Sequence, residues 1–326
     1  MVEYKIFAGS HGKDFAEKMC KYLGVKLGES EVFKFSDGNI FVKVNETVRQ
    51  KDVYLVQPIG TTPNDDLVEI LFWVDALQRS SARHVTVIMP YFSYAKGDKK
   101  DEPRTSIRAR VCAECMELSG ADHMITMDLH SPQVQGFFKR QIDNLYGMPL
   151  LCEEIKELNL DNYVIASPDA GFAKQARAFA DRLGVDLVIG DKTRKDHSEN
   201  AEVLSLLGDV KGKDVVIVDD FSISGGTLVD MCRMVKEHGA NKVYACLSHV
   251  LLSEKGVEKI NNSPLEAVIS TDTIENKFIE GQSKFKIISA APLFAEAVDR
   301  INKFDTVSQL QKTLPEKLIK YIKENR

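Results

Sequence analysis

Residues 215–228, VVIVDDFSISGGTL, hold the most concentrated chemistry in the chain. A β-branched run ends in two acids, Asp219 and Asp220. Ser222, Ile223, Ser224, Gly225, Gly226 and Thr227 then lead into a helical pattern. Small residues let main-chain N–H groups approach an anion closely, and the start of the following helix adds a favourable field. Ser224 and Thr227 add hydroxyl donors. The acids suit ribose hydroxyls or a metal ion rather than the phosphate itself. The pattern predicts a phosphate held at a strand–loop–helix turn. An ordinary polar loop that caps its helix is the plainer alternative.

Three further strand ends are unusually polar, and open parallel sheets bind ligands outside the carboxyl ends of their strands. In MITMDLHSPQVQGFF, Asp128 ends a strand and His130 lies two residues on, so an extended backbone would point both to one side. Such a pair could share a magnesium site, although magnesium prefers oxygen ligands; a structural histidine fits the pattern equally. In YVIASPDAGF, Asp169 stands where it could cap a helix or hold a metal–phosphate. In LVIGDKTRKDHSENAEV, Lys192 and Arg194 alternate and Lys195 follows. Two cations beside a transferring phosphoryl group would stabilise its charge, whereas a solvated basic loop is the bland reading. A fifth segment, YAKGDKKDEPRTSIRAR, carries six basic residues from Lys96 to Arg110 and could close over phosphates.

The elements that must position these groups alternate short apolar runs with amphipathic helices. Strands are expected at 53–57, 85–89, 124–128, 163–166, 215–218 and 243–247. Asn64 reads as the N-cap of a helix whose Leu67, Ile70, Leu71, Val74 and Leu77 share one face. A second helix over 172–183 closes on Gly184, and a third carries Leu228, Met231, Cys232 and Val235 before Gly239. Apolar strands joined by helical crossovers imply parallel sheets covered on both faces. Residues 53–92 and 215–251 also run in parallel: strand, polar loop, helix, small-residue turn, strand. The chain is therefore expected to be α/β and duplicated, with one domain over 1–148 and another over 149–326.

With 326 residues, 44% of them hydrophobic, the chain has ample material for large cores. A net charge of −5 argues against a general nucleic-acid binder, which carries a basic excess. No run approaches the roughly 20 apolar residues of a membrane helix, and the start, MVEYKIFAGSHGKDF, lacks a signal-peptide layout. The expectation is a cytoplasmic protein without membrane contact. Its six scattered cysteines read as reduced thiols, with Cys112 and Cys115 on a buried helix face rather than in a zinc or redox site.

Eight segments in one order, FSDGN, PNDDLVEIL, PYFSYAKGDKK, MDLHSPQVQGFF, SPDAGF, GDKTR, VDDFSISGGTL and APLFAEAVDRI, resemble the ribose-phosphate pyrophosphokinase family. The likeness runs from about Ile6 to Leu310. It implies two tandem phosphoribosyltransferase-like domains with parallel sheets flanked by helices, magnesium as cofactor, ATP and ribose 5-phosphate as substrates, and a homo-oligomer, usually a hexamer built from dimers. By that resemblance His130 and Asp169, with Asp128, are metal-associated. Lys192 and Arg194 are the transition-state cations. Asp219, Asp220 and Ile223–Thr227 hold ribose 5-phosphate. Phe35, Ser36, Asp37, Gly38 and Asn39 of a neighbouring subunit receive adenine, and Lys96 and Gly97 contact ATP.

Several positions depart from the family pattern. Ile223 and Ser224 stand for an Asp-Thr pair, Lys96 and Gly97 for Arg-Gln, Asn39 for Glu, and Lys139 for an acid. A bidentate arginine contact is not copied by lysine. Three readings follow: an active, divergent synthetase; a non-catalytic regulatory or nucleotide-binding homologue, which Ile223 and Gly97 favour; and a phosphoribosyltransferase that consumes the same sugar diphosphate, which leaves the duplicated N-terminal half unexplained.

Overall fold

A computed structural model describes residues 3–192 and 203–325. The chain forms two compact units. The first comprises residues 1–146, 272–275 and 289–326, and the second residues 147–271 and 276–288. In the first lie β1 (Tyr4–Ala8), α1 (Lys13–Leu23), β2 (Ser30–Lys34), β3 (Ile40–Val44), β4 (Asp52–Val56), α2 (Pro63–Arg79), β5 (His84–Met89), α3 (Arg108–Ser119), β6 (His123–Met127) and β7 (Gln141–Leu145). In the second lie α4 (Met148–Lys156), β8 (Tyr163–Ser167), α5 (Ala173–Leu183), β9 (Leu187–Lys192), β10 (Val203–Leu207), β11 (Asp214–Ser222), α6 (Gly226–Glu237), β12 (Val243–Val250), α7 (Glu254–Asn261), β13 (Ala267–Thr271) and β14 (Phe285–Ile288). Then α8 (Ala291–Asn302) and α9 (Glu316–Glu324) return to the first unit.

The two main sheets thread alike. In the first unit the order is β1-β4-β5-β6-β7, all parallel. In the second, β8-β11-β12-β13-β14 repeats that order, again all parallel. The additions differ: β9 extends the second sheet and carries β10 antiparallel on its outer side, whereas β2 and β3 form a separate hairpin. Central strands are buried on both faces, which is why 53–56 and 215–218 are unbroken apolar runs. In the first unit Ile70, Trp73, Val74 and Leu77 of α2 pack with Val53, Leu55, Val85 and Val87. In the second, Leu228, Met231, Cys232 and Val235 of α6 pack with Val215, Ile217 and Ala245.

Three local details differ from the sequence expectation. Helix α2 begins at Pro63, with Thr62 rather than Asn64 at the cap position; proline's fixed φ and missing N–H suit the first helical residue. Strand β6 stops at Met127, and Asp128 takes a φ of 42°, so strand alternation does not carry on to His130. Residues 289–326, placed in the second half by the sequence reading, pack in the first unit. There Phe294 meets Phe15 edge-on at 5.3 Å, Tyr321 meets Tyr22 at 4.9 Å, and the Tyr22 hydroxyl donates to Glu296 at 2.9 Å. Aromatic pairs of this kind add about 0.5–1.5 kcal/mol beyond burial. All six cysteines are free. Among the described residues no helix is long and apolar enough to cross a membrane.

Candidate active site

In the second unit, adjacent strands β8 and β11 bring three carboxylates to one sheet edge. Asp219 and Asp220 lie at the end of the apolar run of β11, and Asp169 follows β8. The Asp219 carboxylate accepts the Asp220 amide at 3.0 Å, and Asp220 accepts the Phe221 amide at 2.8 Å. Burial, and then the negative charge of Asp220, push the Asp219 carboxyl well above its usual range; Asp169 adds to the same effect. Asp169 also closes its own turn, accepting the Phe172 amide at 3.1 Å just before α5.

The turn after Ser222 is shaped by its glycines. Gly225 sits at φ 71°, ψ −5° immediately before α6, a conformation that glycine adopts without strain. A Cβ there would also come within 3.2 Å of both the Gly256 carbonyl oxygen and the Ile260 side chain. The Gly226 amide reaches Ser224 Oγ at 3.3 Å. Among the described residues the amides of Ser224, Gly225 and Thr227 have no acceptor, which leaves them to a ligand at the start of a 12-residue helix. Ile223 is 44% exposed on this turn, an apolar side chain next to the unpaired Ser224 amide.

Of the basic segment read from the sequence, Lys192 falls within the described backbone. Lys192 ends β9, its backbone in register with Val203 of β10. Its side chain and the whole of Arg194 lie outside the described residues, so the expectation for this pair rests on sequence.

The first unit carries the remaining predicted residues. Asp128 and His130 follow β6; the Asp128 amide donates to the Leu145 carbonyl at 3.0 Å, and His130 is exposed. Lys96 and Gly97 follow the neighbouring strand β5, with the Lys96 ammonium 5.6 Å from the centre of the Tyr91 ring. Gly97 has no space for a side chain: a Cβ would stand 2.7 Å from Nε and 2.9 Å from Cβ of Arg108. Gly97→Gln should therefore cost about 1–3 kcal/mol by overpacking, read as a lowered urea midpoint, and Arg108→Gly in the same chain, which removes both the Nε and the Cβ contact, should recover part of the loss. Phe35, Asp37, Gly38 and Asn39 form the tip of the β2–β3 hairpin. There the Phe35 amide donates to the Asn39 carbonyl at 2.7 Å and the Asn39 amide to Asp37 at 3.0 Å. Phe33, Phe35 and Phe41 are exposed and stack on one another, with Phe33 less than 5 Å from both partners (4.9 and 4.8 Å).

One cluster was not anticipated. Asp66, only 1% exposed, accepts from the Gly60 amide at 2.9 Å, the Thr62 hydroxyl at 2.9 Å and His11 Nδ1 at 2.7 Å. The bond to Asp66 raises the His11 pKa against the opposing effect of burial. Beside it Glu69 accepts the Ser10 amide at 2.7 Å. Asp65 and Asp66 together look like acids favouring a helix dipole; that one of them is buried shows only once β1 and β4 pair. Among the described residues no group of three or more His, Cys, Asp or Glu side chains is disposed to hold a metal ion.

Known proteins resemble the chain over most of its length. Residues 4–120 match the N-terminal domain of ribose phosphate pyrophosphokinase, and residues 195–312 a phosphoribosyl synthetase-associated domain. A ribose-phosphate pyrophosphokinase of Wolinella succinogenes is 43% identical over 307 residues, covering 94% of this chain and 98% of its own. One from Thermosipho africanus is 41% identical over 310 residues, covering 94% and 97%. The crystal structure of phosphoribosylpyrophosphate synthetase from Mycobacterium smegmatis superposes with a TM-score of 0.87 at 32% identity, over 93% of this chain and 99% of that one. With its two similarly threaded parallel sheets and this likeness over nearly its full length, the chain belongs to the ribose-phosphate pyrophosphokinase family and is built from two phosphoribosyltransferase-like domains.

Proposed function

We propose that the protein is a ribose-phosphate diphosphokinase, which moves the β,γ-diphosphate of ATP to the C1 hydroxyl of ribose 5-phosphate and releases AMP. The observation that carries this reading is the order of parts from the end of β11 onward: two acids in the strand, then a turn of acceptor-free amides, then a helix, in a chain of this family. The amides of Ser224, Gly225 and Thr227 bind the 5-phosphate, and the Ser224 and Thr227 hydroxyls add donors. Asp219 and Asp220 take the ribose hydroxyls. Ile223 adds no polar contact, so ribose is held by fewer hydrogen bonds than an acid there would give.

In the reaction an O1–Pβ bond forms as the Pα–O–Pβ bridge breaks. The bridging electron pair leaves with AMP, and the C1 hydroxyl proton passes to solvent. Little covalent work falls to the protein, so catalysis is alignment of the two substrates and stabilisation of spreading negative charge. Lys192 and Arg194 take the second role. Lys96 contacts ATP, and the Phe35–Asn39 hairpin of a neighbouring copy stacks on adenine.

Magnesium fits the donor set. In the second unit Asp169 and the Asp219–Asp220 pair offer oxygens, the donor type magnesium prefers; in the first unit Asp128 and His130 are the residues that the family likeness associates with the metal. When bound it would neutralise charge on the β- and γ-phosphates. The carboxylates of the second unit would orient it.

Mixing the purified protein with ATP, magnesium and ribose 5-phosphate should give AMP and 5-phosphoribosyl 1-diphosphate in equal amounts by phosphorus NMR. ATP that persists with the protein folded would instead support the regulatory reading.

A further inference from the structure

We propose that Lys259, on α7, belongs to the ribose 5-phosphate site and supplies the positive charge that the amide turn lacks. This rests on the ribose-phosphate reading of that turn and adds a residue to it.

Main-chain approach sets α7 against the turn. The Ser253 amide donates to the Ile223 carbonyl at 3.4 Å. A Cβ on Gly256 would lie 3.3 Å from the carbonyl oxygens of both Ile223 and Ser224, and a Cβ on Gly225 would lie 3.2 Å from the Gly256 oxygen. Glycine thus faces glycine, and a side chain at either position would be tight against the other backbone. That approach fixes the register of α7 on the loop. Lys259 is one helical turn beyond Gly256 and so shares its face. Its Nζ lies 3.8 Å from the point where a Gly226 side chain would begin, beside the Ser224 hydroxyl and the first amides of α6.

The charge balance makes this placement matter. Residues 222–227 contain no cation, while Asp219 and Asp220 at the strand end repel an anion. A sugar phosphate bears close to two negative charges near neutral pH, and partial charges on amides offset only part of that. Lys259 is exposed and, among the described residues, makes no hydrogen bond or ion pair, so no carboxylate competes with an incoming phosphate. Glu258 precedes it in sequence, and consecutive helical residues do not face each other. The close-packed backbones fix where this lysine leaves α7, and from there its Nζ reaches the turn.

The test uses the full-length protein with Lys259→Met, Lys259→Arg and Lys259→Glu. Wild type is assayed first: no AMP formation would end the diphosphokinase reading itself, a failure separate from that of Lys259. With wild type active, Lys259→Met should raise KM for ribose 5-phosphate about tenfold, a loss of about 1.4 kcal/mol, while kcat and KM for ATP stay within twofold. Lys259→Arg should restore most of the affinity, and Lys259→Glu should weaken it further. An unchanged KM for ribose 5-phosphate in both the Met and Glu variants overturns the proposal. So does a parallel rise in KM for both substrates, which would mark the lysine as a fold contact, with circular dichroism showing whether the variant is intact.

Discussion

Lys192→Ala should slow AMP formation about 10³-fold and leave the melting temperature within about a degree, a split that separates chemistry from folding. The size of the loss follows from the kind of reaction: moving a diphosphate depends on fixed cations around spreading charge, and single cations in such sites are worth factors of this order. Stability should be spared because Lys192 takes part in the β9–β10 pairing through its main chain, in register with Val203, and alanine keeps those hydrogen bonds. Steady-state rates at saturating substrates with a thermal scan measure both halves. A fall in melting temperature matching the fall in rate would show that the lysine works as a structural contact.

Asp66→Ala should destabilise the first unit by about 3–5 kcal/mol, the usual result of removing one partner from a buried charged network. The alanine would strand the Gly60 amide and the Thr62 hydroxyl and release His11. Urea denaturation followed by Trp73 fluorescence reads this directly, since the indole is fully buried in that unit. A pH dependence goes with it. The pKa of His11 is raised in the folded protein, so its contribution is complete below the ordinary histidine value, near 6.5, and is lost as pH rises through the raised value. Wild type should lose this increment on going from acidic to mildly alkaline conditions, and Asp66→Ala should lack that slope. A difference below about 1 kcal/mol would mean that water replaces the carboxylate at little cost.

Much of this architecture is readable in the residues because the signals repeat. The unbroken apolar runs at 53–56 and 215–218 announce doubly covered strands, and the parallel layout of 53–92 and 215–251 becomes two sheets threaded in the same order. The glycine turn before α6 is equally legible, since Gly225-Gly226 after a strand end has few other uses. What escapes the sequence is what depends on distant neighbours. Asp66 looks like a first-turn acid until β1 brings His11 beside it. Lys259 looks like surface charge until Gly256 sets α7 on the loop. Asp128 looks extended until its φ of 42° is seen. The return of residues 289–326 has no local signature, because an amphipathic helix such as α8 shows that it needs a partner but not which one.

That return has a consequence for synthesis. The second unit's residues are complete once position 288 has been made, whereas the unit that leaves the ribosome first still lacks α8 and α9, against which Phe15 and Tyr22 pack. Nascent chains fold domain by domain as they emerge, so here the later-born sheet can close around its own core while the earlier one waits, its α1 face uncovered, for α8 and α9 to be made.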